Sequence, residues 1–336
     1  MNRIPKIIGK KFKHKNNSLL CNRIDFRTKQ IISPFFFYLT ITFWISLIPI
    51  FTYAQKQNET TNKMKASSLT RINSGANFVH YKLGELEIYS LSDGYIDMPV
   101  SRLRQQNGMP FNEIPEQIEL VNGKLRLSVN TYLIIDKDEY ILIDTGAGSS
   151  WEPTMGKLIK SLEEAGISRD KITKIAITHT HQDHANGLVI ANGEVTFPKL
   201  RHLFVPKNEL HLFDNIKSLS CFKQIRKGIE NGDKIGTNVT AFSAFGHEIG
   251  HTAYIVSSKG NTLIIWGDIV HVQSIQFQRP ELTWEFDNDQ AQARSTRKLM
   301  LDKATQPNVF VAGAHLSYPG VGKITKKDTI YKFDPL

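Results

Sequence analysis

Residues 178–187 read THTHQDHANG, and His179, His181, Asp183 and His184 fall within six positions directly after an apolar run that ends at Ile177. Imidazoles and carboxylates are costly to bury alone and bind cations well, so this cluster at the end of a buried strand points to metal chemistry rather than packing. His179 and His181 alternate with Thr180 and Gln182, so an extended tip puts both rings on one side. Asp183 and His184 follow as the chain turns towards Gly187. Further along, FGHEIGH supplies His247, WGDIVH supplies Asp268 and AGAHLSYPG supplies His315, each after an apolar run. Gly246, Gly267 and Gly313 stand just ahead of these three, which suits tight strand-to-loop turns. Seven nitrogen and oxygen donors with no thiolate exceed what one tetrahedral zinc takes. Two divalent ions are implied, and such donors admit Zn, Mn, Fe or Co.

The elements that must position these groups are legible as alternating apolar runs. LEIYSLSDG reads as a strand, and NTYLIIDKDEYILIDTGAG as two strands around a polar turn. A helix is expected over Thr154–Ile167, then the strand KITKIAIT that leads into the histidine loop. RHLFVP, NVTAFSAF, TAYIVSS and NTLIIWGD read as strands, NELHLFDNI and Asn288–Ala304 as helices, and NVFVAGAH as the final strand. Hairpins early and helices between later strands predict an α+β chain: an αββα sandwich forming a single catalytic domain.

Charge distribution limits the partners. Of the formal +10, residues 1–30 hold nine Lys or Arg against Asp25, which leaves residues 55–336 nearly neutral. A nearly neutral body has little basic surface for phosphate backbones, so no nucleic-acid partner is expected. The basic start precedes the uncharged, apolar stretch Ile31–Tyr53, and Thr52-Tyr53-Ala54 fits a cleavage site. Residues 1–54 are therefore read as a signal peptide, 55–77 as a flexible polar leader and 78–336 as the folded domain that carries the donors. The body is expected to be exported, periplasmic or secreted; the alternative is an uncleaved N-terminal anchor, the one route to membrane contact. The two cysteines, Cys21 and Cys221, leave one in the mature chain and no internal disulfide. The reading leaves room for a homodimer.

The pattern H-x-H-x-D-H at His179, His181, Asp183 and His184 resembles the metallo-β-lactamase superfamily, and LIDTGAG, GHxxGH, WGD and AGAH follow that family's order over roughly residues 81–336. The resemblance implies the αββα fold and a first metal site of His179, His181 and His247. It implies a second site of Asp183, His184 and His315, with Asp268 bridging and zinc the expected metal. Catalysis would then rest on a hydroxide shared between the ions, with Asp183 placed to take its proton and hand it to the leaving group. One departure stands out: Glu248-Ile249 replaces the family's usual Thr-Pro. His251 and His271 are expected beside the ligands rather than on metal, Asp144 to bond loop backbone near the site, and His80, His202 and His211 to be surface or core groups.

The carboxylate at Asp268 argues against β-lactam hydrolysis, since the best-known zinc β-lactamases place Cys or His at that position. WGDIVHVQSIQFQRPE, AGAHLSYPGVG and LGELEIYSLSDGYIDMP are similar to the branch of N-acyl-homoserine lactonases and methyl parathion hydrolase. That branch implies a small-molecule substrate, a lactone or ester, with N-acyl-homoserine lactones (quorum quenching) favoured. A phosphotriester on the same site is the alternative, and a metal-bound ligand-binding protein without turnover is the alternative of another class. Met98, Phe277 and Phe286 are the expected walls of an acyl groove.

Overall fold

The structure is a computed structural model of the chain, and it describes residues 68–116 and 118–336. The signal peptide read over 1–54 lies outside the described residues. Among the described residues, no helix is long and apolar enough to cross a membrane.

The first half holds β1 (Leu69–Ser74), β2 (Phe78–Leu83), β3 (Leu86–Pro99), β4 (Leu103–Arg104), β5 (Lys124–Asp136), β6 (Glu139–Ile143), β7 (Lys174–Ala176), β8 (His202–Pro206) and β9 (Arg226–Ile229). The second half adds β10 (Lys234–Gly236), β11 (Val239–Ser243), β12 (Thr252–Ser258), β13 (Asn261–Ile265), β14 (Thr283–Trp284), β15 (Val309–Ala312), β16 (Val321–Lys327) and β17 (Ile330–Pro335). Among the described residues, five α-helices accompany them: α1 (Leu158–Glu164), α2 (Gln182–Ala185), α3 (Leu210–Asn215), α4 (Gln273–Gln276) and α5 (Gln290–Ala304). An eight-stranded sheet runs β1-β2-β3-β5-β6-β7-β8-β9, a seven-stranded sheet β10-β11-β12-β13-β15-β16-β17, and β4 pairs with β14 in a small ribbon.

Strand alternation explains the layering. Tyr132 and Ile134 of β5 and Ile141 and Ile143 of β6 meet Leu263 and Ile265 of β13 in the core between the sheets. Their neighbours Leu133 and Leu142 turn the other way and pack on Leu158 and Leu162 of α1 and Phe213 of α3. Ile264 of β13 likewise turns outward against Met300, Leu301 and Ala304 of α5. Each sheet thus buries both faces, one on its partner and one on helices, which is the expected αββα sandwich. The pairings β6–β7, β7–β8, β8–β9 and β13–β15 are parallel, the rest antiparallel.

Three expectations are corrected. The leader is shorter than 55–77, because Leu69–Ser74 form an edge strand paired with β2; only Leu69 of it is buried, so backbone pairing builds it without a hydrophobic pattern. NVFVAGAH is not the final strand: β16 and β17 follow as a hairpin at the sheet edge, their lysine-rich sequence hiding the inward Val321, Ile324 and Tyr331. The helix over Thr154–Ile167 starts later, at Leu158. The buried Asp93 carboxylate takes the N–H groups of Gly156 and Leu158 (3.0 Å each), and Gly156 has φ +77°, which prevents an earlier turn.

Candidate metal centre

Four loops meet at one end of the sandwich. The first leaves β7, where Asp144, at the tip of β6, accepts from Thr178 N (2.7 Å) and Thr178 Oγ1 (2.9 Å) and pairs with His184 Nδ1 at 2.8 Å. As expected, Asp144 bonds loop backbone; it also pairs with the ring of a candidate donor, His184. The single turn of α2 then brings Asp183 and His184 back towards His179. Behind this loop the fully buried Glu209 accepts from Thr180 N and Thr180 Oγ1 (2.7 Å each), and its other oxygen accepts from Gly250 N at 3.2 Å. One carboxylate therefore joins the 178–184 loop to the loop that carries His247.

On the second sheet each donor stands after a glycine in a crowded place. Gly246 has φ +128°, and a Cβ there would lie 2.3 Å from the backbone nitrogen of Ala293. His247 follows, its Nδ1 2.8 Å from Asp287 Oδ1. Asp287 in turn lies 3.5 Å from Arg297, whose guanidinium is buried and donates to the carbonyls of Ile269 and Leu282 (2.6 Å each). Asp268 N donates to His251 Nε2 at 3.0 Å, while His251 Nδ1 meets Ala244 O at 2.9 Å. Both His251 nitrogens are thus spent on backbone, which keeps this ring beside the ligands. His315 Nδ1 bonds Ser128 O at 2.9 Å, and Asn130 of β5 donates to Gly313 O and Leu316 O, tying the last loop to the other sheet.

The free ends of these rings converge. His179, His181, His247 and Asp268 offer ligand atoms all within 4.8 Å of one another, and Asp183, His184 and His315 form a second such group. His247 Nε2 stands 3.2 Å from His181 Nδ1 and 3.3 Å from Asp268 Oδ2. A tetrahedral ion with bonds of about 2.0–2.1 Å separates its ligand atoms by about 3.3 Å, so this spacing fits a metal. Asp268 lies between the groups: Oδ1 is 3.2 Å from His184 Nε2, and Oδ2 is 3.2 Å from His315 Nε2 and 3.8 Å from His179 Nε2. His179 Nε2, His184 Nε2 and Asp268 Oδ1 are buried without a hydrogen-bond partner. Groups left so would be costly, and bound metal would satisfy all three. All seven expected donors are brought together.

Electrostatics point the same way. Burial, with neighbouring imidazoles, pushes the His179 pKa well below its ordinary value and that of His251 to about 3. Burial also opposes protonation of His184 and His247, yet the carboxylates outweigh it. Asp268, Asp183 and Asp144 hold His184 well above normal, and Asp268 and Asp287 raise His247 to about 10. Asp268 is held well below the carboxylate range against its burial, by His184, His315 and His179. The carboxylates thus draw positive charge towards His184 and His247, while burial keeps His179 and His251 neutral.

The amino-acid sequence over residues 125–315 matches the Metallo-beta-lactamase superfamily domain. The chain belongs to that superfamily. Solved members of similar structure include a hydrolase described as AbOPH in the beta lactamase superfamily, 25% identical with a TM-score of 0.69 over 79% of this chain and 99% of that one. AidC, described as a dizinc quorum-quenching lactonase in complex with a product, is 24% identical with a TM-score of 0.68 over 77% and 97%. An N-acyl homoserine lactone hydrolase with product at its catalytic metal centre is 18% identical, with a TM-score of 0.51 over 68% and 92%. The superfamily and its donor set make this chain a metal-dependent hydrolase.

A cavity of about 480 Å³ opens beside the centre, lined by His271 and His315, by Ile118, Val121, Leu125, Leu127 and Val272, and by polar groups including Arg126, Gln273 and Ser317. His271 is where it was expected, beside the ligands: its Nε2 is 3.2 Å from Asp268 Oδ2, and its ring stacks on Trp284 and His315. The expected groove walls are corrected. Phe277 is buried in the core behind α5, stacked on Phe333. Phe286 is exposed beneath the Arg102 guanidinium, and half-buried Met98 packs behind the cavity wall rather than lining it. Asp287, Glu209 and Arg297 were not singled out beforehand, because each acts on a residue far along the chain with no local pattern to mark it. His80, His202 and His211 lie outside the centre, as expected; His80 stacks on Tyr89 and pairs with Glu87.

Proposed function

We propose that the chain is a dinuclear hydrolase that opens lactones such as N-acyl-homoserine lactones. The observation that carries this reading is that Asp268 stands in one donor group and within 3.2 Å of His184 and His315 of the other, beside a cavity whose wall mixes apolar and polar residues. His179, His181 and His247 would hold one ion, Asp183, His184 and His315 the other, and Asp268 both. Two ions bound there would supply a water ionised near neutral pH and a Lewis acid for the scissile carbonyl. Asp183, 3.5 Å from His315 and 3.7 Å from His184, is placed to take a proton from the attacking water and return it to the leaving alkoxide. His271 lines the cavity with its Nε2 3.2 Å from Asp268 Oδ2, which would set an imidazole beside the lactone ring. Leu125, Leu127 and Val272 offer apolar surface to the acyl chain. The neighbouring lactonases support the substrate class, and the basic then apolar order of residues 1–54 supports export.

The test is zinc-loaded protein assayed for ring opening across an N-acyl-homoserine lactone series, beside a phosphotriester and a chromogenic cephalosporin, with metal content measured on the same sample. Lactone turnover exceeding the other two, with two ions per chain, is expected. Phosphotriester turnover alone, or two ions bound with no turnover, rejects the lactonase reading.

A further inference from the structure

Resting on the dinuclear reading, we propose that Glu248 is a positioning residue that presents His181 to the first metal and thereby sets the affinity of that site. His181 Nε2 meets Glu248 Oε1 at 2.8 Å, and the same ring turns its Nδ1 towards His247 Nε2, 3.2 Å away. An imidazole that bonds a carboxylate through Nε2–H carries its lone pair on Nδ1, the nitrogen that faces the other donors.

His181 is the donor ring that most needs such a hold. Its side chain is 35% exposed, against 0–4% for His179, His184, His247 and His315. Packing locks those four, while His181 stands at the solvent-facing side of the first group and has open space in which to turn. Glu248 is itself only 12% exposed, and its backbone is fixed: its carbonyl accepts from Gly246 N and His251 N at 3.2 Å each. It stands next to His247 in sequence, so one short loop supplies a ligand to the first site and the brace for a second ligand. Glu209 completes the arrangement from behind by holding Thr180 and Gly250. The backbone of the His181 loop and the ring of His181 are thus secured by two different carboxylates.

The His247 and His184 rings have carboxylate partners of the same kind in Asp287 and Asp144. Those two are buried, whereas Glu248 lies at the rim. Its loss would leave the fold standing and free one ligand to rotate.

The experiment compares wild type with Glu248→Leu and Glu248→Gln, the latter keeping an acceptor for Nε2–H. Each is titrated with zinc against a chromophoric chelator and with cobalt followed by its visible absorption, and the metal-stripped proteins are melted in parallel. In Glu248→Leu one ion is expected to bind about 10- to 100-fold more weakly, with the other at wild-type affinity, an altered cobalt spectrum and an unchanged melt of the stripped chain. Glu248→Gln is expected to recover part of the affinity. Wild-type affinity for both ions in Glu248→Leu overturns the assignment. So does a Glu248→Gln no better than Glu248→Leu, or loss of both ions with a lowered stripped-chain melt. A wild type that binds fewer than two ions sinks the dinuclear reading instead, since that result is read on the unaltered chain.

Discussion

The two sheets feed the metal centre by different means. The eight-stranded sheet supplies His179, His181, Asp183 and His184 from one short loop, whose shape follows from the single turn of α2 and the grip of Asp144 and Glu209. The seven-stranded sheet supplies His247, Asp268 and His315 from three separate loops. Each of these leaves a strand through a glycine whose missing side chain is space already filled: by Ala293 at Gly246, by His251 and Thr178 at Gly267, and by Trp266 at Gly313. One side depends on side-chain hydrogen bonds that can be lost singly. The other adds to bonds of that kind, His247–Asp287 among them, a crowded glycine ahead of each donor, where an added atom displaces a whole loop.

Predicted effects scale with this contrast. The largest belongs to the group both sides share. Asp268→Ala should lower kcat/KM by about a thousandfold, a loss of several kcal/mol of charge stabilisation, and should remove metal as measured by elemental analysis; a fully active, fully loaded variant would overturn the shared role. Next comes Gly246→Ala, which adds a Cβ 2.3 Å from Ala293 N at φ +128° and should cost about 3 kcal/mol in urea unfolding. An effect below about 1 kcal/mol would erase the claimed crowding on this side.

Asp287→Asn tests the buried support of His247, with a pH dependence whose sign is definite. Burial works against ionisation of Asp287, but the His247 hydrogen bond and the charges of His247 and Arg297 bring it to about 2, below its ordinary 3.8. A carboxyl depressed on folding stabilises the fold above the unfolded value and ceases to do so as pH falls towards the folded one. In the metal-stripped chain the variant should therefore be about 2 kcal/mol less stable at pH 7, and the gap should narrow between pH 4 and 2. A gap independent of pH would mean that the ionised form is not what the fold uses. The smallest effect is expected on the first side: Thr180→Ala removes one 2.7 Å bond to Glu209 while leaving the backbone one, and should cost about 1 kcal/mol. If Thr180→Ala proved as costly as Gly246→Ala, the contrast between the sheets would fail.

Much of this arrangement was legible in the amino-acid sequence, for definite reasons. Donor types recur at strand ends, and the alternation of Leu133 with Tyr132 and Ile134 already separates the two faces of β5. The supporting carboxylates were not legible, because Glu209 and Asp287 find their partners across the fold and resemble any other surface acid in a linear string. The pocket was misread for a related reason. Phe277 looked free to line a groove, but its ring is claimed by Phe333 from β17, a strand of the hairpin that the lysines of β16 concealed. The wall instead comes from Leu125 and Leu127, whose strand was evident in part but whose facing depends on how far β3 and β5 run past the rest of the sheet.

The tie between Asn130 and the His315 loop has one more consequence. Because β5 belongs to one sheet and that loop to the other, neither half-molecule alone can bring all seven candidate donors together. During refolding, a chain whose sheets have formed but not yet docked should leave most added zinc in solution, so the time course of ion uptake becomes a stopwatch for the closing of the sandwich.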